Sequence, residues 1–160
     1  MSRLGAPLAL MLLVACRPAP DEEPLPCRND EPGEALLGAG DLGTGFLELE
    51  DELLVAFGPQ GMHMVILSLR VWDMEEPAAG GFGSEVRIAM LDDGEVFGGT
   101  LATLTPSVEE VEYVEFLGLR AVITAAEVEG VTGRPIELVG TVIDGCGREL
   151  SSSHELTLTE

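Results

Sequence analysis

The stretch that decides the fold class is His63-Met64-Val65-Ile66-Leu67-Ser68-Leu69-Arg70-Val71-Trp72. Its odd-numbered positions from Val65 to Val71 are all apolar, whereas its other face changes from Met64 and Ile66 to Ser68 and Arg70. A period of two residues is typical of a β-strand, because successive side chains of a strand point to opposite faces of the sheet. The stretch therefore predicts a long strand with one continuous apolar face.

Short apolar runs separated by glycine-rich turns continue on both sides of this strand. The runs lie at 46–50, 52–57, 86–90, 95–97, 101–104, 111–117, 120–128, 136–143 and 149–159. Asp92-Asp93-Gly94 predicts a hairpin turn. Helix signals are weak, although 107–115 is compatible with one helical turn and the alanines make 119–128 ambiguous. Strands at spacings of about ten residues predict an all-β domain, as an antiparallel sandwich or barrel.

The first residues have the layout of a secretory signal peptide. A single positive charge, Arg3, is followed by an apolar run of about 12 residues that ends at Ala15. A helix that spans a bilayer needs roughly 20 apolar residues. The length of the run therefore favours a cleaved leader over a transmembrane anchor.

The end of the leader, Leu13-Val14-Ala15-Cys16, resembles the lipobox of bacterial lipoproteins. The resemblance implies cleavage before Cys16, diacylglycerol on its sulfur and a further acyl chain on the new amino terminus. Two or more chains anchor a protein stably to a lipid bilayer, at about 0.8 kcal/mol per buried methylene. Arg17 stands where an Asp would imply retention at the inner membrane, so the resemblance implies the outer membrane. The alternative is an ordinary signal peptide with a chance cysteine near its end.

The chain then divides into three parts: a leader at 1–15, a linker at 16–33 and a domain at 34–160. The linker is acidic and carries five of the ten prolines. Proline favours an extended backbone of about 3.1 Å per residue, so the segment from Cys16 to Cys27 reaches roughly 30 Å. The linker is predicted to be a disordered stalk.

The composition limits the classes of partner. With 29 acidic and 8 basic residues, the formal net charge is −21, and such a surface repels nucleic acid and anionic lipid head groups. An apolar content of 46% favours a folded domain over a disordered chain, and an aromatic content of 4% counts against a sugar-binding groove. Nucleic-acid binding is therefore excluded.

With Cys16 acylated, two cysteines remain, Cys27 and Cys146. Exported proteins fold in an oxidising compartment, where two remaining cysteines usually pair. The bridge would close a loop of about 120 residues, for which chain entropy predicts roughly 4–5 kcal/mol. The alternatives are two free thiols or a metal pair, but no third sulfur or histidine completes a zinc site.

The ending Gly133-Arg134-Pro135-Ile136-Glu137-Leu138-Val139-Gly140-Thr141-Val142-Ile143-Asp144-Gly145-Cys146-Gly147 resembles the penultimate strand and turn of bacterial immunoglobulin-like domains. The segment Gly58-Pro59-Gln60-Gly61-Met62-His63 is similar to a stretch in exported proteins of that supposed fold. The resemblance implies an immunoglobulin-like β-sandwich. The tryptophan and the inter-sheet cysteine pair of immunoglobulin domains are not reproduced, and a shared fold implies no activity.

Two groups of residues suggest metal binding. Met62-His63-Met64 offers thioether and imidazole ligands that suit copper, with Met74 or His154 as further candidates, but strand alternation separates His63 from the methionines. Calcium ligands are offered by Asp92-Asp93-Gly94-Glu95 and by an acidic cluster of Glu109, Glu110, Glu112 and Glu115. The spacing of a calcium loop is absent from both. No metal site and no cofactor are assigned.

Catalytic patterns are weak. The chain has two histidines and no Gly-x-Ser-x-Gly motif. Ser151-Ser152-Ser153-His154 places hydroxyls beside an imidazole, but neighbours on a strand point to opposite faces. Pairs of carboxylates suited to glycoside hydrolysis occur by chance among 29 acids. No catalytic residue is assigned, and the chain is predicted not to be an enzyme.

The sequence thus predicts a monomeric all-β domain on a stalk, anchored to the outer membrane through Cys16. Its expected function is non-catalytic, as a binding, structural or assembly-accessory module for an unknown protein partner. The first alternative is a carrier of a metal ion or small ligand, and the second is a hydrolase. A binding module is expected to expose an apolar patch or an open strand edge.

Overall fold

The computed structural model describes residues 33–58, 61–75, 84–123 and 125–160. In these ranges the protein is almost all β, as predicted, with eleven strands and one short helix. The elements are β1 (Glu34–Ala39), β2 (Leu47–Glu48), β3 (Glu52–Leu54), β4 (Ala56–Phe57), β5 (His63–Trp72), β6 (Ser84–Asp92), β7 (Glu95–Leu104), β8 (Val108–Glu109), β9 (Tyr113–Ile123), α1 (Ala125–Val131), β10 (Pro135–Ile143) and β11 (Glu149–Thr159).

All of these strands belong to one sheet, in the order β2-β1-β5-β9-β7-β6-β10-β11-β3, with β4 on β5 and β8 on β9. Neighbours are antiparallel except at one edge, where Thr157–Thr159 of β11 runs parallel to Glu52–Leu54 of β3. The sheet is therefore mixed, which differs from the predicted antiparallel arrangement. The long chain between β3 and β11 permits this pair, because parallel strands need a connection of a dozen residues or more.

The sheet curls so that β1 and β11, each next to an edge strand, come into contact. The Leu37 N–H of β1 donates a hydrogen bond of 3.1 Å to the Ser152 hydroxyl of β11. Gly140 of β10 faces Leu37 and Leu69, whose side chains would lie within 2.8 Å of a methyl group at that position. The core fills the space enclosed by the curl. Its members include the predicted apolar face of β5, in which Val65, Leu67, Leu69 and Val71 are fully buried.

Two predicted strand boundaries were wrong because glycine was taken as a strand terminator. The runs at 95–97 and 101–104 form the single strand β7, which passes through Gly98 and Gly99. The runs at 111–117 and 120–128 are joined through Gly118 into β9, and the register between β5 and β9 shifts at that point. Between the pairs that flank this shift, β9 has one residue more than β5, and the bulge accommodates it without ending the strand.

Two further elements differ from the prediction. Residues 125–131 form α1 rather than the end of a strand, with Val128 and Val131 buried three residues apart on one helix face. Residues 107–115 are not helical but hold β8 and the start of β9. Strand β1 was not predicted, since Glu34–Ala39 shows no clear alternation and is placed by its pairing with β5.

The leader, the Cys16 lipobox, the stalk up to residue 32 and Cys27 lie outside the described residues. The described chain begins at Gly33, whose Cα lies close to the Trp72 carbonyl and the Leu150 side chain. Among the described residues, no helix is long and apolar enough to cross a membrane.

Candidate functional site

A cleft separates β7 from β9 in the middle of the sheet. The two strands pair only at Gly98 with Ile123 and at Gly99 with Val122. Beyond this point β7 continues along β6 to its end at Leu104, while β9 continues along β5. The facing edges of the two strands therefore diverge.

The contact point requires glycine. A methyl group at Gly98 would lie 2.7 Å from the Val122 carbonyl oxygen, and one at Gly99 would lie 2.2 Å from the Ile88 carbonyl oxygen. A Cβ at either position would push β7 away from β9 or from β6. The glycine pair thus holds β6, β7 and β9 together at this end of the cleft. The residues of β7 that follow, from Thr100 onward, do not pair with β9.

The opposite wall is shaped by Gly118. This residue has φ +70, a conformation that favours glycine, and lies in the bulge between β5 and β9. Its N–H donates a hydrogen bond of 3.3 Å to the Gly40 carbonyl, outside the strand pairing. The bulge therefore directs this part of β9 toward the turn after β1 and away from β7.

The far end of the cleft is bounded by Ser107. Its N–H donates to the Glu115 carbonyl at 2.6 Å, and its hydroxyl accepts a hydrogen bond of 3.1 Å from the Leu117 N–H. The cleft thus extends from the glycine pair to Ser107. It encloses about 250 Å³ and is lined by Thr100, Ala102 and Leu104 of β7, Val86 of β6 and residues 117–120 of β9.

The lining is mainly apolar and belongs to the inner face of the sheet. Ala102 is the register partner of Val86, which is fully buried. Ala102 and Leu104 nevertheless remain half-exposed, because β9 does not cover them. Arg120, at the mouth, is exposed and forms no ion pair within the described part of the chain. Part of the core is therefore accessible from solvent.

The Met62-His63-Met64 motif lies at the other end of β5 from the start of the described chain. Met64 is buried, Met62 is exposed, and the His63 ring packs edge-on against Phe57 at a centroid distance of 5.2 Å. The buried Nδ1 of His63 has no hydrogen-bond partner among the described residues.

The structure does not bring the further copper candidates to this motif. Met74 follows the far end of β5, where its sulfur is 3.9 Å from the Ser84 hydroxyl, and His154 is the register partner of Leu138 in the β10–β11 pair. The described ranges contain no group of three or more His, Cys, Asp or Glu side chains that would hold a metal.

Of the acidic candidates, Asp92 and Glu115 form ion pairs with arginine. Asp92 and Glu95 pair across the predicted hairpin turn, and Asp92 accepts a hydrogen bond of 2.9 Å from Arg134. Glu109, Glu110 and Glu112 are exposed. Glu115 is instead buried and paired with Arg70 at 2.7 Å. The four glutamates of the predicted cluster are therefore not all solvent-exposed.

The serine run is also structural. Ser151 shares a hydrogen bond of 3.0 Å with Thr141, and Ser152 receives the Leu37 N–H. These hydroxyls link β11 to β10 and to β1. His154 lies on the same strand, and its buried Nε2 has no hydrogen-bond partner in the described ranges.

The turn that holds Cys146 is organised by Asp144, whose carboxylate is fully buried. It accepts hydrogen bonds from the Cys146 N–H at 2.9 Å, from the Arg148 N–H at 2.9 Å and from the Arg148 Nε at 2.7 Å. Arg148 also donates to the Asp73 carbonyl at 2.7 Å. Cys146 therefore lies in a turn that the Arg148 side chain links by a hydrogen bond to the loop after β5.

No protein-family model, curated protein or solved structure matches this chain with significant similarity. The cleft was not predicted from the sequence. Its local signal is the Gly98-Gly99 pair inside an otherwise apolar strand, since such a pair often marks a close approach of two backbones.

Proposed function

We propose that this chain is an exported lipoprotein whose all-β domain is a non-catalytic binding module, anchored to the outer membrane through acylated Cys16. The observation that carries the binding function is the cleft between β7 and β9. It exposes inner-face apolar side chains on a framework of paired strands, where a partner can contact them.

The position of the chain entry supports the stalk and the predicted disulfide. Gly33 lies close to the backbone of Trp72 and Asp73, and Arg148 binds the Asp73 carbonyl from the turn that holds Cys146. The entry and the turn are therefore at the same end of the domain. The six residues from Cys27 to Gly33 span up to roughly 20 Å, so this arrangement is compatible with a Cys27–Cys146 bridge.

The finer fold proposed for the domain is an immunoglobulin-like sandwich. The resemblance of residues 133–147 supports it, because this segment forms a strand and a tight turn, as the resemblance implies. The parallel β3–β11 pair and the single curled sheet order are departures from the predicted antiparallel sandwich.

The second candidate function is a carrier of a metal ion or small ligand. The observation in its favour is the unpartnered Nδ1 of His63 beside exposed Met62. The cleft favours it less, because sites for small molecules usually enclose about 300–1,000 Å³.

Site-specific photo-crosslinking in intact cells tests the proposed function. A photoreactive amino acid replaces Thr100, which lines the cleft and is half-exposed, or, as the control, Glu155, which is exposed on β11. We expect a discrete protein adduct from position 100 in the membrane fraction, and none from position 155. Identical adducts from both positions, or none from either, would contradict a binding function of the cleft.

A further inference from the structure

We propose that the cleft binds the carboxy-terminal residue of a partner polypeptide, whose apolar side chain enters the cavity end-on while its carboxylate pairs with Arg120. This inference rests on the proposed binding function and specifies the part of the partner that is bound. Three observations support it: the charge at the mouth of the cleft, the shape of the cavity and an exposed apolar residue beside it.

Arg120 is the one arginine without an ion pair among the residues that the structure describes. Four further arginines are described, and each pairs with a carboxylate: Arg70, Arg87, Arg134 and Arg148. Because acidic residues outnumber basic ones by 29 to 8 in the chain, a guanidinium without a carboxylate partner is unexpected. A guanidinium at the mouth of an apolar cavity favours a ligand with an anionic group, and it binds a carboxylate through two parallel hydrogen bonds.

The acidic surface of the chain does not exclude an anionic ligand at this position. Asp41 lies beside Gly118, but its carboxylate accepts hydrogen bonds within its own loop, from the N–H groups of Gly43 and Thr44. At physiological ionic strength, exposed charges farther apart than about 8 Å are largely screened from each other. Repulsion from more distant carboxylates is therefore weaker than a direct contact with Arg120.

The cavity is closed at both ends and open on the outer face of the sheet. The glycine pair joins β7 to β9 at one end, and the hydrogen bonds of Ser107 to β9 close the other. The neighbours of Arg120 in β9, Leu119 and Ala121, are buried, so strand alternation points the Arg120 side chain outward, where the cleft opens. A passing segment therefore has no room along the strands, whereas a chain terminus can enter from outside.

The size of the cavity suits one side chain. It encloses about 250 Å³ between apolar side chains that include Val86, Ala102 and Leu104. An apolar cavity of about 150 Å³ holds one benzene molecule, so this cavity accepts the ring of a phenylalanine. Sites for whole small molecules usually enclose about 300–1,000 Å³. A single apolar residue therefore fits the cavity better than a cofactor does.

Leu101 favours a polypeptide over a free carboxylate. Thr100 and Ala102 line the cleft, so the Leu101 side chain between them points to the outer face, where it is 66% exposed. The residues that precede a bound carboxy-terminal residue lie outside the opening, on this same face. An apolar residue among them removes Leu101 from water, which stabilises the complex. A free carboxylate would leave Leu101 exposed.

Isothermal titration calorimetry tests the proposal on the full-length chain in lipid nanodiscs, with empty nanodiscs as the blank. Detergent is avoided because a detergent tail is itself apolar and small enough to enter the cleft. The probe is acetyl-Gly-Ser-Gly-Leu-Phe with a free carboxylate. One control is the same peptide with a terminal carboxamide, which removes only the charge. The other is phenylpropanoate, which has the ring and the carboxylate but no preceding residues.

We expect the peptide acid to bind about tenfold more tightly than the amide, because the amide lacks the charge-assisted hydrogen bonds to Arg120. In Arg120→Gln this preference should fall below about twofold. Arg87→Gln, which removes the same charge from an exposed position on β6, should keep it. Leu101→Ser should weaken binding of the peptide acid by at least about threefold and leave that of phenylpropanoate unchanged.

The proposal is overturned if the acid and the amide bind alike, or if the preference for the acid persists in Arg120→Gln. All three substituted side chains are exposed, so the variants are expected to fold. Equal affinities of the peptide acid and phenylpropanoate would overturn the polypeptide ligand in favour of a small carboxylate. Absence of peptide binding together with a discrete photo-adduct from position 100 would overturn the carboxy-terminal ligand alone. Absence of both would overturn the binding function as well.

Discussion

Arg70 donates two hydrogen bonds to a single carboxylate oxygen of Glu115, from Nε at 2.9 Å and from Nη2 at 2.7 Å. Its guanidinium carbon is 4.3 Å from the centre of the Phe46 ring and 4.6 Å from that of Tyr113. The pair thus joins β5 to β9 and to the residue before β2. Because Glu115 is only 5% exposed, its charge depends on Arg70 for compensation.

Glu115→Gln should destabilise the domain by about 2 kcal/mol, since a charge-assisted hydrogen bond in a largely buried position is lost. Urea unfolding measures the change. Glu112→Gln, at an exposed position three residues earlier, just before β9, is the matched control and should stay within about 0.5 kcal/mol. Equal effects of the two substitutions would show that the pair does not stabilise this face of the sheet.

Asp144→Ala should destabilise the domain by about 3 kcal/mol, because two backbone N–H groups and the Arg148 side chain lose a buried acceptor. Thermal and urea unfolding report the loss. Glu149→Ala, at an exposed position beyond the same turn, is expected to have little effect. A stability of Asp144→Ala close to that of the unsubstituted chain would contradict the role of Asp144 as the anchor of the turn.

Cys27→Ser, Cys146→Ser and the double substitution should each lower stability by the same amount, roughly 4–5 kcal/mol, if the two cysteines form one bridge. Equality of the single and double variants is the specific expectation, because either change opens the same loop. Peptide mapping without reduction should recover residues 27 and 146 in one cross-linked species. Two thiols that react with an alkylating agent in the exported protein would disprove the bridge.

Cys16→Ala should release the protein from the membrane fraction or leave an uncleaved precursor, because the acyl chains supply the predicted anchor. Fractionation and mass spectrometry of the amino-terminal peptide measure both outcomes. Arg17→Asp is the control: it keeps the cysteine, so acylation should persist while the membrane of residence changes. Unchanged acylation and fractionation of Cys16→Ala would refute the lipid anchor.

Thr44→Val should raise the pKa of Asp41 toward its ordinary value. The Thr44 N–H, the Gly43 N–H and the Thr44 hydroxyl all donate to the Asp41 carboxylate, and together they lower its pKa in the folded state. A lowered folded pKa contributes stability that is present above the unfolded value, about 3.9, and is lost as pH falls through the folded pKa. The variant should therefore lose less stability on acidification.

An NMR titration of the Asp41 carboxylate carbon measures this shift directly. Thr103→Val, an exposed threonine on β7, is the matched control and should leave the Asp41 pKa unchanged. An identical Asp41 titration in Thr44→Val would show that the hydroxyl does not contribute.

Features that depend on neighbouring residues were predictable. The apolar alternation of residues 65–71 places one face of β5 in the core, and that face is fully buried. The hairpin turn at 92–94 was also confirmed by the pairing of Asp92 with Glu95. Both features follow from local rules, since side-chain direction in a strand and turn conformation are set over a few residues.

The candidate site was not predictable, because it depends on which strand edges meet. Gly98, Gly99 and Gly118 resemble strand ends in the sequence, yet in the structure the first two join three strands and the third bends β9 away. The burial of Glu115 likewise depends on Arg70, 45 residues away. By itself the sequence determined the all-β class, the buried face of β5 and the hairpin turn at 92–94. The tertiary structure alone decided the cleft, because long-range register is set by packing of the whole sheet rather than by any local pattern.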